Sequence, residues 1–254
     1  MYIRTDFPFI CIKMYNDFSK FYDLFAYDIP YDKFFSYYVE IFEGLGIKPE
    51  LVVDICCGTG SLTTLLSEKY DVIGIDYSIE MLDIARKKDK AGKILYLNQT
   101  MTDFELYGTV DAFISSLDSV NYLLSEEELT THFKLIKNYL NDDGVYIFDI
   151  STCYKFKHIL GDNSFVDERE NVMFVWQNDY DNCERLNTMY LDIFYRENGR
   201  YGRISETHYE RGYTISHLSA VIKKCGLKVI NIFDDLSPLA HNKTSERVFF
   251  VVGK

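Results

Sequence analysis

The stretch Asp54-Ile55-Cys56-Cys57-Gly58-Thr59-Gly60 decides the fold, because it joins a buried strand to a helix through a glycine turn. The apolar run Leu51-Val52-Val53 before it predicts the strand, and residues 61–68 after it predict the helix. Glycine lets a ligand approach the backbone closely, and the first turn of the helix offers free N–H donors. This strand–turn–helix unit therefore predicts an α/β domain with a nucleotide cofactor at the turn.

The alternation of strands and helices continues on the carboxyl side of the turn. Buried strands are predicted at residues 72–75, 94–97, 111–116 and 144–150, and helices at 78–88 and 126–139. After a break, a helix is predicted at 215–225 and strands at 227–233 and 247–252. Strands that alternate with helices indicate βαβ units. We therefore predict an α/β fold with a doubly wound, mostly parallel, seven-stranded Rossmann-like sheet.

The pattern changes in the break, where residues 164–211 show period-2 runs without a helix. Asn198-Gly199 is a hairpin signal within it, so we predict a small inserted antiparallel β layer of three or four strands. At the other end, aromatic residues between 15 and 45 recur at helical spacing and are split by Pro30. We predict N-terminal helices in 1–45, the α/β domain in 46–160 and 212–254, and the inserted subdomain in 161–211.

The composition limits the partners of the chain. Its 254 residues carry a formal net charge of −12, and such an acidic surface repels phosphate backbones, so we expect no nucleic-acid partner. The nearest basic run, Arg86-Lys87-Lys88, lies on a predicted helix and is interpreted as a solvated face. No stretch approaches the roughly 20 apolar residues of a membrane span, so we expect no membrane partner.

The six cysteines predict a reducing compartment and no metal site. No two of them have C-x-x-C spacing, and no histidine cluster accompanies them. Cys56 and Cys57 are adjacent, a spacing that strains a mutual disulfide. The N-terminal residues lack the long apolar core of a signal peptide. We therefore expect a cytoplasmic protein.

The charge at the strand ends indicates which nucleotide cofactor binds. Asp54 ends the first strand, where a carboxylate would be unfavourable beside a pyrophosphate but favourable beside the ammonium and sulfonium of S-adenosylmethionine. Thr63 stands where a dinucleotide fingerprint needs its third glycine. Asp76 ends the second strand and is suited to accept from both ribose hydroxyls. The alternative for Asp76 is a helix cap, although Ser78 already has that pattern.

Further motifs follow the predicted strands: Gly74-Ile75-Asp76-Tyr77-Ser78 with Met81-Leu82, then Asp103-Phe104, then Asp118-Ser119-Val120-Asn121-Tyr122. With residues 54–60 they resemble the class I S-adenosylmethionine-dependent methyltransferases. Tyr22-Asp23 and Pro30-Tyr31 resemble the N-terminal lid helices of a bacterial small-molecule subgroup, and Glu206-Thr207-His208 with Arg211 resembles its inserted sheet. One departure is Cys56, where that family often has glycine.

The resemblance implies a role for each matching position. Asp54, Cys56, Gly58 and Gly60 belong to the turn that holds the methionine part of the cofactor. Asp76 would hold the ribose. The remaining implied cofactor-binding residues are Tyr77, Met81, Thr102 and Asp103 around the adenine, Asp118 near the transferable methyl, and Tyr22 and Tyr31 from the lid. For Tyr22 and Tyr31 the alternative is packing of the aromatic stripe in the core.

The residues near the methyl acceptor are less defined by the sequence. Period 2 places Glu206, His208 and Glu210 on one face of a strand, and His208 with Glu206 is our candidate for general-base catalysis. The alternative is an exposed polar face. The insertion also holds aromatic residues that are candidates for a pocket wall or for packing on the parent domain, namely Trp176, Tyr190, Tyr195, Tyr201, Tyr209 and Tyr213.

The sequence thus predicts transfer of a methyl group from S-adenosyl-L-methionine to a small-molecule oxygen or nitrogen acceptor. Methyl transfer from a sulfonium is an in-line displacement that requires no metal. Two alternatives stay open, a nicotinamide-dependent oxidoreductase and a non-catalytic module that binds the cofactor. We expect a monomer or a homodimer.

Overall fold

The computed structural model describes residues 17–169 and 171–254, so the part of the predicted N-terminal region before residue 17 lies outside the described residues. The helices are α1 (Ser19–Phe25), α2 (Tyr31–Gly44), α3 (Ser61–Leu66), α4 (Ile79–Lys88), α5 (Glu126–Tyr139) and α6 (Ile215–Lys224). The strands are β1 (Leu51–Ile55), β2 (Asp71–Asp76), β3 (Leu95–Asn98), β4 (Val110–Ser115), β5 (Leu140–Ser151), β6 (Ser164–Arg169), β7 (Val172–Asp181), β8 (Leu186–Glu197), β9 (Arg200–Arg211), β10 (Lys228–Asp234) and β11 (Arg247–Gly253).

Seven strands form one sheet in the order β10-β11-β5-β4-β1-β2-β3. Strands β1 to β5 pair in parallel, and β11 is antiparallel to both of its neighbours. The strand order reverses between β1 and β4. In open α/β sheets, ligands bind beside the carboxyl ends of the strands at such a reversal. The predicted doubly wound sheet is confirmed, and it places residues 54–60 and 116–122 at the same edge.

Hydrophobic clusters cover both faces of this sheet. Alternate residues of β5 face opposite ways, with Tyr146 and Phe148 in one cluster and Val145 and Ile147 in the other. The first cluster is completed by α5 and α6, and the second by α2, α3 and α4. The strands are buried on both faces, which explains why they appear in the sequence as short apolar runs rather than alternating patterns.

The insertion after β5 forms a separate four-stranded antiparallel sheet in the order β6-β7-β8-β9. Its last hairpin turns at Asn198 and Gly199, which have φ of 50° and 74°. Two consecutive residues with positive φ make the tight turn that matches strand twist. The predicted antiparallel layer is therefore confirmed.

Helix α1 covers the apolar part of the inserted sheet. Phe18, at the start of this helix, and Phe25 pack with Phe174, Leu191 and other buried residues of β7 and β8. Helix α2 instead packs on the large sheet, where Tyr37 stacks edge-on against Phe249 at 5.0 Å between ring centroids. Pro30 separates the two helices as predicted.

Helix starts agree with the sequence signals. The Ser78 hydroxyl accepts from the Met81 backbone N–H at the start of α4, and Ser125 with Glu128 forms the predicted capping box of α5. Among the described residues, no helix has the length and apolarity needed to cross a membrane.

Candidate cofactor and methyl-transfer site

The turn after β1 takes backbone conformations that suit close approach of a ligand. Cys56, Gly58 and Gly60 all have positive φ, at 60°, 54° and 75°. A Cβ on Gly60 would lie 2.8 Å from the Cβ of Ala85, so this glycine is required by packing. A Cβ on Gly58 would meet nothing within 4 Å, so the backbone there borders open space. The left-handed conformation of Cys56 also explains why glycine suits that position.

Asp54 lies almost fully buried behind this turn, with 2% of its surface exposed. Its Oδ2 accepts a hydrogen bond of 2.6 Å from the Thr63 hydroxyl. The pKa of this carboxyl is raised from 3.8 to about 7, chiefly by burial; the Thr63 hydrogen bond opposes the rise and the Asp76 charge adds to it. Such a group gains most when a cation neutralises it, as the ammonium and sulfonium of the predicted cofactor would.

Asp76 holds the turn from the neighbouring strand. Its two oxygens accept from the backbone N–H groups of Gly58 and Ser78, each at 2.9 Å. Burial raises the pKa of Asp76 to about 6, and these backbone hydrogen bonds oppose the rise. Because Ser78 caps α4, Asp76 is not that helix's N-cap. It remains the predicted acceptor for the ribose hydroxyls and is also a support for the glycine turn.

The residues predicted to surround the adenine follow β2 and β3: Tyr77 comes directly after β2, Met81 lies in α4, and Thr102 and Asp103 lie in the loop after β3. Met81 is buried, Tyr77 and Thr102 are half-buried, and Asp103 is exposed. A residue that the sequence did not single out supports this loop. The buried His132 binds the Met101 carbonyl through Nδ1 at 2.8 Å and the Tyr146 hydroxyl through Nε2 at 2.9 Å.

Tyr22 and Tyr31 contact each other through a side-chain hydrogen bond, and Tyr31 also interacts with Ser61, the residue after the glycine turn. Burial raises the pKa of Tyr22, and the charges of Tyr31, Asp118 and Asp76 add to the rise. The Tyr22 phenol therefore lies near the carboxyl ends of both β2 and β4, where Asp76 and Asp118 are found. Both rings also pack partly in hydrophobic clusters, as the packing alternative predicts, and their contact with the cofactor stays a prediction.

Asp118 is part of a network of charges after β4. Its Oδ2 accepts from the Ser151 hydroxyl and lies 3.8 Å from Lys155 Nζ and 3.6 Å from an Arg247 nitrogen. Burial opposes its ionisation, but the Arg247 and Lys155 charges hold the pKa of Asp118 below its ordinary value. Asp149 completes the network by binding Arg247 and the Asp118 backbone N–H.

His208 is buried and the Glu206 side chain is only 8% exposed, so the interpretation of β9 as an exposed polar face is wrong. His208 has no exposed surface, because the inner face of β9 packs towards the large domain and the start of α1. His208 Nδ1 lies 3.2 Å from the Tyr122 hydroxyl, and Nε2 lies 3.4 Å from Glu206 Oε2. Glu206 Oε1 in turn accepts from the Phe18 backbone N–H at 3.4 Å. Tyr122 was present in the fourth-strand motif but was given no role.

The aromatic residues of the insertion do not form a single wall. Tyr190 and Tyr201 are 48% and 79% exposed, so they lie on the outer surface. Trp176 and Tyr195 pack against α1, and Tyr213 joins the core of the large domain. For the four residues in strands these positions follow from strand alternation, since only every second side chain faces inward, whereas Tyr213 lies after β9.

Comparisons with known proteins show the family of this chain. A family described as a methyltransferase domain matches residues 52–144. A protein of Geobacillus sp. (strain WCH70), provisionally named a methyltransferase, is 32% identical over 94% of this chain and 99% of its own. The provisionally named methyltransferase YqeM of Bacillus subtilis (strain 168) is 29% identical over 95% of this chain and 97% of its own. The crystal structure of an S-adenosylmethionine-dependent methyltransferase from Clostridium acetobutylicum ATCC 824 is 30% identical, with a TM-score of 0.86 over 95% of this chain and 99% of that one.

The chain belongs to the S-adenosylmethionine-dependent methyltransferases. It is an enzyme whose cofactor is S-adenosylmethionine. The predicted family and cofactor are thus confirmed, and the oxidoreductase and non-catalytic alternatives are set aside. The residues present fit the cofactor, because an open glycine at 58 lies between two buried carboxyls, Asp54 and Asp76.

Proposed function

We propose that this enzyme methylates an oxygen or nitrogen atom of a small molecule held between the inserted sheet and the carboxyl end of β4. One observation carries the proposal. The inner face of β9 brings Glu206 and His208 out of solvent and against Tyr122, four residues after Asp118. A proton-accepting group in a water-poor chamber is what a protonated nucleophile needs for methyl transfer.

S-adenosylmethionine, held by Asp54, Gly58 and Asp76, would supply a methyl group on a sulfonium, with the thioether sulfur as the leaving group. The chain's own residues handle the acceptor proton. Glu206 lies at Nε2 of His208 and so favours the tautomer with a proton there. Nδ1 is then free to accept from the Tyr122 hydroxyl. His208 is buried, whereas Tyr122 is half-buried. The acceptor therefore gives its proton to the Tyr122 oxygen, while the Tyr122 hydroxyl gives its own proton to Nδ1.

The lid helices α1 and α2 supply the other requirement, which is to exclude water. Phe18 packs edge-on against the His208 ring at 6.1 Å, and Tyr22 lies over the strand ends. Glu210, also on the inner face of β9, is buried, and burial raises its pKa to about 8. A neutral Glu210 would present a hydroxyl donor to the acceptor, beside Lys155 and Asp118.

The test is methyl transfer from radiolabelled S-adenosylmethionine to a panel of small amines, phenols and carboxylates, with transfer RNA and DNA in parallel. We expect transfer to a small molecule. His208→Gln and Glu206→Gln should lower kcat at least tenfold and change its pH profile, while affinity for S-adenosylhomocysteine is kept. Transfer to nucleic acid alone, or full activity in both variants, would contradict the proposal.

We also propose a cytoplasmic location and no nucleic-acid partner. The net charge of −12 supports the second point. The five cysteines in the described residues are free thiols, which supports a reducing compartment. Fractionation of cells that express a tagged chain would test the location.

A further inference from the structure

Four polar side chains from three parts of the chain meet beside the glycine turn. Lys88 Nζ, at the end of α4, lies 2.7 and 2.8 Å from the two carboxylate oxygens of Asp23 on α1. The same ammonium donates to the hydroxyls of Thr59 at 3.0 Å and Ser61 at 2.8 Å. Thr59 in turn donates to Asp23 at 2.6 Å. Lys88 is thus not part of a solvated helix face, and that interpretation of the basic run is wrong for this residue.

The position of Asp23 gives this cluster a function. Asp23 directly follows Tyr22, whose phenol lies near the charges of Asp76 and Asp118. On its other side, α1 is held by apolar contacts of Phe18 and Phe25 with the inserted sheet. The cluster is the polar attachment of the same helix to the turn and to α4. Releasing it would free α1 from the turn while its contacts with the insertion persist.

We propose that Lys88 and Asp23 form a clamp that holds Tyr22 over the bound cofactor and sets the rate of cofactor release. The inference rests on the proposed roles of the 54–60 turn and of Tyr22 in cofactor binding. Thr59 and Ser61 flank Gly60, so the clamp joins the lid to the backbone that borders the cofactor. Lys88 and Asp23 act as positioning residues, because their contacts are with the protein.

The exposure of the pair gives a measurable signature. The Lys88 and Asp23 side chains are 29% and 46% exposed, so added salt screens their attraction. Apolar contacts of α1 respond little to moderate salt. Release of S-adenosylhomocysteine from the wild-type protein should therefore become faster between 50 and 500 mM NaCl, about three- to fivefold for an exposed pair.

The experiment measures dissociation of S-adenosylhomocysteine from the immobilised full chain by surface plasmon resonance. Lys88→Met should release it about 5- to 20-fold faster, between the effects of an exposed ion pair and a charge-assisted hydrogen bond. Asp23→Asn should act in the same direction, and the double variant should add little to either. Lys88→Arg should restore most of the slow release. Lys87→Met, one residue earlier and exposed, is the matched control and should behave as wild type.

Thermal unfolding separates release from a general loss of stability. The clamp is refuted if Lys88→Met and Asp23→Asn release the probe at the wild-type rate, or if their release keeps the wild-type salt dependence. If Lys88→Met does not fold, the release rate and salt dependence of the nearly isosteric Asp23→Asn variant provide the test. Failure of the wild-type chain to bind S-adenosylhomocysteine is a different result, because it would refute the cofactor site itself.

Discussion

Replacement of Asp54 by Asn should make the cofactor-free protein more stable while weakening cofactor binding. The folded chain holds the Asp54 proton far more tightly than the unfolded chain, because burial raises its pKa from 3.8 to about 7. Well below pH 4 the carboxyl is protonated in both the folded and the unfolded state, so it does not lower the free energy of unfolding. As the pH rises from 4 to 7, the unfolded state gains from ionisation first, so stability falls.

The magnitude follows from these two pKa values. At 1.36 kcal/mol for each unit between them, ionisation of Asp54 lowers the free energy of unfolding by about 4 kcal/mol above pH 7. Asn cannot ionise, and its Oδ1 can still accept from the Thr63 hydroxyl. The free energy of unfolding of Asp54→Asn should therefore exceed the wild-type value by about 3 to 4 kcal/mol at pH 8, and by about half of that at pH 5. Loss of a charged partner should weaken S-adenosylhomocysteine binding by about 1.5–3 kcal/mol, or roughly 10- to 150-fold.

Urea denaturation without ligand, at several pH values between 5 and 8, measures the change in the free energy of unfolding. Calorimetry measures the change in S-adenosylhomocysteine affinity. Asp111→Asn is the control of opposite sign. Asp111 accepts from the backbone N–H groups of Glu50 and Leu51, and its pKa lies below the ordinary value, so its neutralisation should destabilise the protein at pH 8. If Asp54→Asn and wild type have parallel stability curves from pH 5 to 8, the reasoning is wrong.

Two further predictions concern the support of the site. Burial lowers the pKa of His132 to about 4 from 6.5, so its contribution to stability is complete above pH 6.5 and is lost as the pH falls towards 4. This loss should lower the free energy of unfolding by about 3 kcal/mol. His132→Gln should remove this part of the pH dependence of unfolding, as measured by urea denaturation between pH 4 and 7. The same pH dependence in His132→Gln and wild type would contradict the prediction. Gly60→Ala should lower the melting temperature strongly, because its Cβ would lie 2.8 Å from Ala85. Gly58→Ala, where a Cβ meets open space, should lower cofactor affinity more than stability, and the reverse ranking would show that we have assigned the two glycines wrongly.

Much of the fold was predictable because each strand and turn carries a local signal. The buried strands are short apolar runs, and the hairpin at Asn198-Gly199 uses residues that tolerate positive φ. The strand ends were less predictable. Strand β5 begins at Leu140, directly after α5, although Asn141-Asp142-Asp143 is not a strand-like sequence. Leu140 pairs with Val110 and Val145 pairs with Ala112, so residues 141–144 lie at an irregularity in the β4–β5 register, which the sequence pattern does not reveal.

The location of the site was predictable because carboxylates end two neighbouring strands beside a glycine turn. Asp54 and Asp76 are buried at this edge of the sheet, as expected from their positions, and their contacts with the cofactor stay predictions. Lys88, Tyr122 and His132 could not be assigned, since each acts through a partner far away in the chain. Lys88 binds Asp23, 65 residues away, and Tyr122 binds His208, 86 residues away. Only tertiary structure brings such pairs together.

The docking of α1 on the inserted sheet has a consequence for synthesis on the ribosome. Phe18 contacts Glu206, which lies 188 residues further along the chain. At ordinary translation rates the ribosome needs roughly 10 to 40 s to make that interval. During this time Phe18 and Phe25 lack the β7 and β8 surface that buries them in the finished protein. Helix α1 is thus made early but is among the last elements to dock, and in the nascent chain it is an apolar segment suited to chaperone binding.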